Sequence, residues 1–311
     1  MNPGPQAVLD TIGGTPLVEL SRLAPKPGVR LFAKLEGQNP SGSVKDRVAR
    51  ALVEECEARH ALVPGSLLVE ASTGNTAIAL AVVAKQKGYR LKVVVPEGVA
   101  PSIGYILETL GVECVESPPM AGMRGAIELA DRVARAEGGV LTGQFYSQAN
   151  IDAHYQGTGR EILAQLPTVT HFVAGIGTGG TVTGVARCLK DHLPDVRVIG
   201  VEPHMGEVLQ GIRCVDEGFA PPLLDLDRLD GRFLVSAAQA LQLCKRVAVE
   251  EGLLVGVSSG ATLHVALRLA ERVEAAQIVC MFADSGAKYL PANPWEAAMA
   301  LDPRLDEVHW W

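Results

Sequence analysis

The stretch Asn39-Pro40-Ser41-Gly42-Ser43-Val44-Lys45-Asp46-Arg47 places a lysine where a helix is predicted to begin. Ser43, followed three residues later by Asp46, is typical of a helix-capping pair, and apolar residues recur at helical spacing from Val48 onward. The Lys45 ammonium would then face the positive end of the helix dipole, which disfavours a cation. This position suits a lysine of lowered pKa, or one that loses its charge by forming an imine with an aldehyde cofactor. The alternative is an ordinary solvated lysine on an N-terminal turn.

Composition excludes several classes of protein. The chain has 311 residues, of which 48% are hydrophobic, so it can fill the cores of one large or two medium domains. With 28 Lys and Arg against 35 Asp and Glu, its net charge of -7 argues against nucleic acid as the main partner. The six cysteines form no C-x-x-C pair, so we expect reduced thiols in a cytoplasmic protein and no metal site. No signal peptide or membrane-length apolar run is apparent, and no membrane association is expected.

Apolar segments of strand and helix length alternate along the chain, as in parallel βαβ units. We therefore predict an α/β fold of two domains, each with a mainly parallel twisted sheet flanked by helices. The predicted strands are residues 29–35, 67–71, 91–95, 112–115, 171–175, 196–202 and 277–282. Residues 203–235 contain several prolines and glycines and are predicted to be irregular.

Three loops join predicted strands to helices, and in a parallel sheet such loops meet at the carboxyl ends of the strands, where ligands bind. The glycines of Gly175-Ile176-Gly177-Thr178-Gly179-Gly180-Thr181 let backbone amides approach a phosphate closely. The loop Ser72-Thr73-Gly74-Asn75-Thr76 groups hydroxyls and an amide at a helix start, which suits a carboxylate. The third loop presents Ser258. The alternatives are a tight turn for the first loop and ordinary N-caps for the others.

The glycine loop also fits a dinucleotide-binding pattern. Gly175, Gly177 and Gly180 have G-x-G-x-x-G spacing, and Glu202 ends the next predicted strand. A nicotinamide-dependent oxidoreductase is therefore an alternative, although it leaves Lys45 and the loop at residues 72–76 unexplained.

Together these motifs resemble the pyridoxal-phosphate enzymes of the cysteine synthase group, which share fold type II with the tryptophan synthase β chain. The resemblance covers nearly the whole chain. It rests on Gly14-Thr15-Pro16-Leu17, Lys34-Leu35-Glu36, residues 39–47, residues 72–76, Gln144-Phe145, residues 177–181 and Val257-Ser258-Ser259-Gly260.

The resemblance implies that Lys45 carries pyridoxal 5'-phosphate as an imine and is the catalytic base. The other cofactor-binding residues are Asn75 at the ring hydroxyl, Ser258 at the ring nitrogen, and Gly177, Thr178, Gly179, Gly180 and Thr181 at the phosphate. The residues implied to bind the substrate carboxylate are Ser72, Thr73, Thr76 and Gln144.

The implied activity is cysteine biosynthesis. O-phosphoserine or O-acetylserine would lose its β-substituent to give an α-aminoacrylate, to which sulfur from sulfide or a thiocarboxylated carrier protein adds. The segment from Glu202 to Pro221 resembles the cysteine synthase B or O-phosphoserine sulfhydrylase type. Within it, Arg213 would bind the phosphate, while an exposed surface arginine is the alternative.

Two departures from the family pattern make the substrate class less certain than the cofactor. The usual Thr-Ser order is exchanged at Ser72-Thr73, and Ile103-Gly104 replaces a common basic pair. The alternatives are a β-replacement enzyme that makes cystathionine or 2,3-diaminopropionate, or a protein that keeps the cofactor without turnover.

The resemblance also implies a homodimer and a division into two domains. Residues 40–145 are predicted to form a smaller, mobile substrate-binding domain. Residues 1–39 together with 146–311 form the larger domain, which binds the cofactor phosphate and carries a C-terminal tail. The tail ends in His309-Trp310-Trp311, which we expect to dock either on the protein surface or over the active-site mouth.

Overall fold

A computed structural model describes residues 7–96, 101–118, 121–217 and 219–292. Within these ranges the strands are β1 Leu17–Glu19, β2 Val29–Leu35, β3 Leu67–Ala71, β4 Arg90–Val95, β5 Glu113–Glu116, β6 Val140–Leu141, β7 His171–Gly175, β8 Arg197–Pro203, β9 Gly231–Val235 and β10 Ala276–Phe282. The α-helices are α1 Lys45–Arg59, α2 Asn75–Lys87, α3 Pro101–Thr109, α4 Gly122–Glu137, α5 Gln148–Ala153, α6 Arg160–Gln165, α7 Gly180–His192, α8 Ala237–Glu251 and α9 Val257–Arg272. A π-helical segment, His154–Gly159, joins α5 to α6.

The strands form two sheets. One has six strands in the order β1-β2-β10-β7-β8-β9, and the other has four in the order β5-β4-β3-β6. Neighbouring strands are parallel except for β1, which is antiparallel to β2. The predicted α/β fold is confirmed, and the carboxyl ends of the parallel strands define one edge of each sheet.

Helices cover both faces of the six-stranded sheet, as its central strand β7 illustrates. Val173 belongs to the apolar cluster that includes Val265 of α9, whereas Phe172 and Ala174 belong to the cluster that includes Val185 of α7. All three strand residues are fully buried. A strand buried on both faces has a continuous apolar sequence, which is why this segment was recognisable from the sequence.

Two segments differ from the prediction. Gly231–Val235, predicted to be irregular, is the edge strand β9, and its alternating residues are only half-buried. The sequence also predicts a helix that begins at Tyr155, but the helical segment starts at Gln148, where the Ser147 hydroxyl caps it by accepting a hydrogen bond from the Ala149 amide. The predicted tail at residues 293–311 lies outside the described residues.

No helix in the described part of the chain is long and apolar enough to cross a membrane. The six cysteines are free thiols, and Cys114 alone among them is exposed.

Candidate active site

Helix α1 begins at Lys45, close to the predicted position, but its first turn is stabilised differently. The Asp46 carboxylate accepts hydrogen bonds from the Ser41 amide at 2.9 Å and from the Ser41 hydroxyl at 2.5 Å. The Ser43 hydroxyl accepts only a longer bond from the Lys45 amide, at 3.3 Å, while the Asp46 carboxylate also accepts a hydrogen bond from the Ser43 backbone. One half of the predicted Ser43–Asp46 pair is therefore present, but the Ser43 hydroxyl does not cap the Asp46 amide. Gly42, at φ +81°, turns the chain so that Ser41 faces the helix start instead.

The opposite face of this turn is anchored by buried charges. Arg47 pairs with Glu36 at 2.7 Å and with Glu161 at 2.7 Å, and Glu161 also pairs with the fully buried Lys34 at 2.8 Å. Two cations thus meet two carboxylates, so the buried network is electrically balanced. It holds the first turn of α1 against the six-stranded sheet.

The chain before Lys45 is joined to the end of β10. The Val44 amide donates to the Ala283 carbonyl at 2.8 Å, and Ser43 forms an isolated β-bridge with Asp284. Burial lowers the pKa of Lys45 to about 8, with Asp284 raising it and Arg213 lowering it. A lysine with this pKa has a substantial neutral fraction near pH 7.5, as nucleophilic addition to an aldehyde requires.

The glycine loop lies at the amino end of α7, in contact with Gly211 and Leu224. A Cβ on Gly177 would stand 2.5 Å from the Gly211 carbonyl oxygen, and one on Gly179 would stand 2.6 Å from the Leu224 amide nitrogen. Gly179 also has φ +85°. The sequence therefore needs glycine here because two backbone segments touch, in addition to any close approach by a ligand.

Two side chains behind this loop were not predicted. Asn150 donates to the Thr178 hydroxyl at 3.1 Å and to the Gln144 carbonyl at 2.8 Å. His154 lies 3.0 Å from the Thr181 hydroxyl. Burial, together with the Lys45 and Arg47 charges, lowers the pKa of His154 well below its usual value, so the ring is neutral. These residues precede the loop by more than 20 positions in the sequence and carry no motif of their own.

The hydroxyl of Thr178 is suited to bind an anion. It accepts hydrogen bonds from Asn150 and from the Gly180 amide, and within the described residues it donates none. Its hydrogen is thus free to donate into the cavity, beside the backbone amides at the start of α7. The loop fits a phosphate group by this test.

The loop at residues 72–76 faces the same cavity. Thr76 donates to the Gln144 side-chain carbonyl at 2.6 Å, and Gln144 donates to the Ala71 carbonyl at 2.7 Å. Ser72 accepts 3.2 Å bonds from two amides of the α2 start, which is an ordinary capping role, while Thr73 is exposed.

Gln144 itself is held from below by Glu70. This fully buried carboxylate accepts hydrogen bonds from the Gln144 amide at 3.0 Å and the Thr142 hydroxyl at 2.7 Å. Burial raises the pKa of Glu70 despite these bonds.

A cluster after β10 was also missed by the sequence analysis. Asp284 accepts hydrogen bonds from the Asn75 amide nitrogen at 2.8 Å and from the Tyr289 hydroxyl at 2.5 Å. The Lys288 ammonium donates to the side-chain oxygen of Asn75, and its nitrogen lies 3.4 Å from a carboxylate oxygen of Asp284. An acidic residue directly after a parallel strand, at the ligand-binding edge of the sheet, was the available signal.

Arg213 faces the cavity and is not an exposed surface arginine. Its guanidinium lies 5.0 Å from the Phe145 ring centroid and 5.5 Å from that of Phe219, which are in edge-to-face contact. Its Nε is buried without a hydrogen-bond partner, and it forms no ion pair with any described residue. Burial lowers the pKa of Arg213. A cation desolvated in this way is suited to bind an anion that enters the cavity.

Glu202 does not face a nucleotide site. Its carboxylate accepts a hydrogen bond from the Val215 amide at 2.6 Å and pairs with Arg232 at 3.1 Å. A Cβ on Gly175 would stand 2.3 Å from the Ile212 side chain, so the first glycine of the apparent dinucleotide pattern accommodates protein. The acidic residue and the glycines therefore hold the segment that carries Arg213.

These groups line one cavity of about 710 Å³, which is the size of a small-molecule site. It brings together Lys45, Asn75, Thr178, Arg213 and Ser258. A primary amine, a glycine loop suited to a phosphate and a neutral hydroxyl at the start of α9 form a donor set that fits pyridoxal phosphate. Ser72, Thr73, Thr76 and Gln144 also border this cavity.

Comparisons with known proteins agree with this donor set. The family described as pyridoxal-phosphate dependent enzyme matches residues 8–284. Cysteine synthase B of Pseudomonas aeruginosa is 38% identical over 290 residues, which cover 93% of this chain and 97% of that protein. Among solved structures, O-ureido-L-serine synthase has a TM-score of 0.90 at 35% identity, covering 97% of this chain and 98% of that one. Cysteine synthase of Entamoeba histolytica has a TM-score of 0.88 at 31% identity, covering 97% and 94%.

Proposed function

The chain belongs to the pyridoxal-phosphate-dependent cysteine synthase family, and we propose that it makes L-cysteine by replacing the β-substituent of an O-activated serine with sulfur. The observation that carries the proposal is the placement of Lys45 in the same cavity as the phosphate-binding loop and the loop at residues 72–76. The nicotinamide alternative is not favoured, because Glu202 is engaged by the protein itself.

The cofactor would be held at four places by this chain. Lys45 would bind its aldehyde carbon, Asn75 its ring hydroxyl, residues 177–181 its phosphate, and Ser258 its ring nitrogen. When bound, pyridoxal phosphate supplies an electron sink that stabilises negative charge at the substrate α-carbon. A serine hydroxyl at the ring nitrogen carries no charge, which favours loss of a β-substituent over transamination.

The substrate carboxylate would lie at the start of α2. There the Ser72 and Thr76 hydroxyls and the Gln144 amide gather beside the positive end of the helix dipole. The Lys45 amine, once released by the incoming amino group, would take the α-proton, for which its lowered pKa is suited.

The position of Arg213 favours phosphate as the leaving group, and therefore O-phosphoserine as the substrate. Acetate leaves as a monoanion from a neutral ester, whereas the phosphate of O-phosphoserine is charged before the reaction begins. A desolvated guanidinium without a carboxylate partner in the described residues would gain a charge-assisted bond from the phosphate alone.

Activity with the two esters tests this proposal. Cofactor-loaded protein is supplied with sulfide and either O-phosphoserine or O-acetylserine, and L-cysteine is measured. Arg213→Met should lower kcat/KM for O-phosphoserine by about ten- to a hundredfold, as expected for loss of a hydrogen bond to a charged group. Because Arg213 also lowers the pKa of Lys45, the variant affects both esters through that lysine, and the loss for O-phosphoserine should exceed the loss for O-acetylserine by this factor.

Arg90→Met is the matched control, because Arg90 pairs with Glu113 at 2.9 Å at the amino end of β4 and does not border the cavity. Arg90→Met should leave kcat/KM unchanged for both esters. Equal losses for both esters in Arg213→Met would remove Arg213 from phosphate recognition. If cysteine forms from neither ester, the proposed function is refuted.

We also propose the assembly that the family resemblance implies. Residues 40–145 would form the smaller, mobile domain, because the four strands of the second sheet all lie between residues 67 and 141. The protein would act as a cytoplasmic homodimer. Its sulfur would come from sulfide or from a thiocarboxylated carrier protein. Light scattering tests the dimer, and competition between sulfide and a carrier protein tests the donor.

A further inference from the structure

The side chain of Asn75 lies between two opposite charges, which are carried by the segment that follows the six-stranded sheet. Asn75 begins α2 directly after β3, whereas Asp284 and Lys288 follow β10 of the six-stranded sheet. Its amide nitrogen donates to Asp284, and its amide oxygen accepts from Lys288. The side chains of Lys288 and Asp284 are only 8% and 2% exposed, so water does not screen these contacts.

Only one orientation of the Asn75 amide satisfies both neighbours. A flipped amide would turn its NH2 group toward the Lys288 ammonium and its oxygen toward the Asp284 carboxylate. A donor would then face a donor, and an acceptor would face an acceptor. In a buried site, hydrogen bonds that are not made are costly. The charge pair therefore selects the rotamer.

The selected orientation determines what Asn75 offers to the cavity. Its NH2 group donates to Asp284, and the ammonium of Lys288 occupies its oxygen. The NH2 group also interacts with the Tyr289 hydroxyl, which borders the cavity, so a ring oxygen bound here would compete with that hydroxyl for the second N–H. Asn75 borders the cavity that contains Lys45. A group bound there meets a hydrogen-bond donor at this position.

We propose that Asp284 and Lys288 are positioning residues that orient the Asn75 amide so that it donates to an oxygen of the cofactor ring. This inference rests on the proposed binding of pyridoxal phosphate at Lys45. Asp284 and Lys288 act through Asn75 and make no bond to the substrate. Asp284 and Lys288 follow β10, whereas Asn75 follows β3 of the other sheet. The orientation of the Asn75 amide therefore depends on contact between the carboxyl ends of these two strands.

Retention of the cofactor and its visible spectrum test the proposal in the holoenzyme. Equilibrium dialysis gives the dissociation constant, and the absorption band reports hydrogen bonding to the ring. Asp284→Asn keeps the shape of the side chain but removes its charge, and Lys288→Met removes the ammonium. Each should raise the cofactor Kd by about three- to tenfold, as for loss of one hydrogen bond. Each should also shift the absorption band in the same direction as Asn75→Ala.

Lys288→Met made in Asn75→Ala protein should have no further effect, because the residue through which it acts is gone. Asp284→Asn is left out of this comparison, because the Asp284 charge also raises the pKa of Lys45 directly. Asp230→Asn is the matched control. Asp230 is also a carboxylate paired with a lysine, Lys190 at 2.7 Å, but it bonds the Val198 amide at the amino end of β8. It should change the unfolding temperature and leave the absorption band in place.

Three outcomes would overturn the inference. If Asp284→Asn folds poorly, Lys288→Met decides; an unchanged band and Kd in the variants that fold would remove the positioning role alone. A shift that Lys288→Met still causes in Asn75→Ala protein would show that Lys288 acts on the cofactor without Asn75. Wild-type protein that retains no cofactor would overturn the proposed function together with this inference.

Discussion

Lys45 should destabilise the cofactor-free protein, and replacing it with Met should make that protein more stable. The pKa of Lys45 falls from 10.5 to about 8, chiefly through burial. Since each pKa unit corresponds to about 1.36 kcal/mol, the buried ammonium lowers the free energy of unfolding by about 3 kcal/mol at pH 7. The side chain borders the cavity and remains partly solvated, so we expect the observed gain in Lys45→Met to be about 2 to 3 kcal/mol.

The dependence on pH has a definite sign. Between pH 8 and 10.5 the unfolded chain holds a proton on Lys45 that the folded protein has lost. The free energy of unfolding of the wild type should therefore rise with pH across this window relative to that of Lys45→Met. Below pH 8 both states are protonated, and the full penalty applies.

Denaturant unfolding of the cofactor-free proteins at pH 7, 8, 9 and 10 measures this difference directly. Lys85→Met, which removes an exposed lysine, controls for the loss of one positive charge. A Lys45→Met protein that is less stable than the wild type at pH 7, or a difference between them that does not change with pH, would refute the reasoning.

Two further predictions concern the surroundings of the site. Burial alone would raise the pKa of Glu161, but its pairs with Arg47 and Lys34 lower it to about 2; Glu161→Gln should cost about 3 to 5 kcal/mol at pH 7. Its pairing energy is present above about pH 4.5 and is lost as the pH falls toward 2, so urea unfolding at pH 7 and pH 3 should show a smaller difference from the wild type at pH 3. Gly179→Ala should cost about 1 to 3 kcal/mol more than Gly206→Ala, as measured by thermal unfolding, because both residues have positive φ but only Gly179 has backbone within 3 Å of the added Cβ. Equal costs would show that the positive φ alone matters.

Most of the fold followed from local sequence signals. The segments 29–35 and 67–71 are strands with the predicted bounds. The first was recognised from its alternation of residue types, and the second from a mostly apolar run that is typical of a strand buried on both faces. The spacing of Ser236 and Gln239 predicts a capping box, which is present at the start of α8. The strand Gly231–Val235 escaped notice since an edge strand buries only part of its surface and lacks such a run.

In the candidate site, too, features encoded by local sequence were predictable and contacts between distant residues were not. The loops after β3 and β7 each lie at the carboxyl end of a parallel strand, as the sequence predicts. The expectation that the Ser258 loop also follows a strand is wrong, because it joins α8 to α9. Since β3 and β7 belong to different sheets, strand ends alone do not bring these loops to one cavity. The contacts of Asn75 with Asp284 and Lys288 join residues more than 200 positions apart, and no local pattern encodes such a pair. The burial of Arg213 between two aromatic rings likewise depends on how the segment 209–224 folds over the glycine loop.

Formation of cysteine by the purified protein tests the central claim most directly. Cofactor-loaded protein is incubated with O-phosphoserine and sulfide, and L-cysteine and inorganic phosphate are quantified over time. The account predicts equal amounts of the two products, and no cysteine from Lys45→Ala protein that remains folded. Protein that carries the cofactor on Lys45 yet forms no cysteine from O-phosphoserine or O-acetylserine would contradict it.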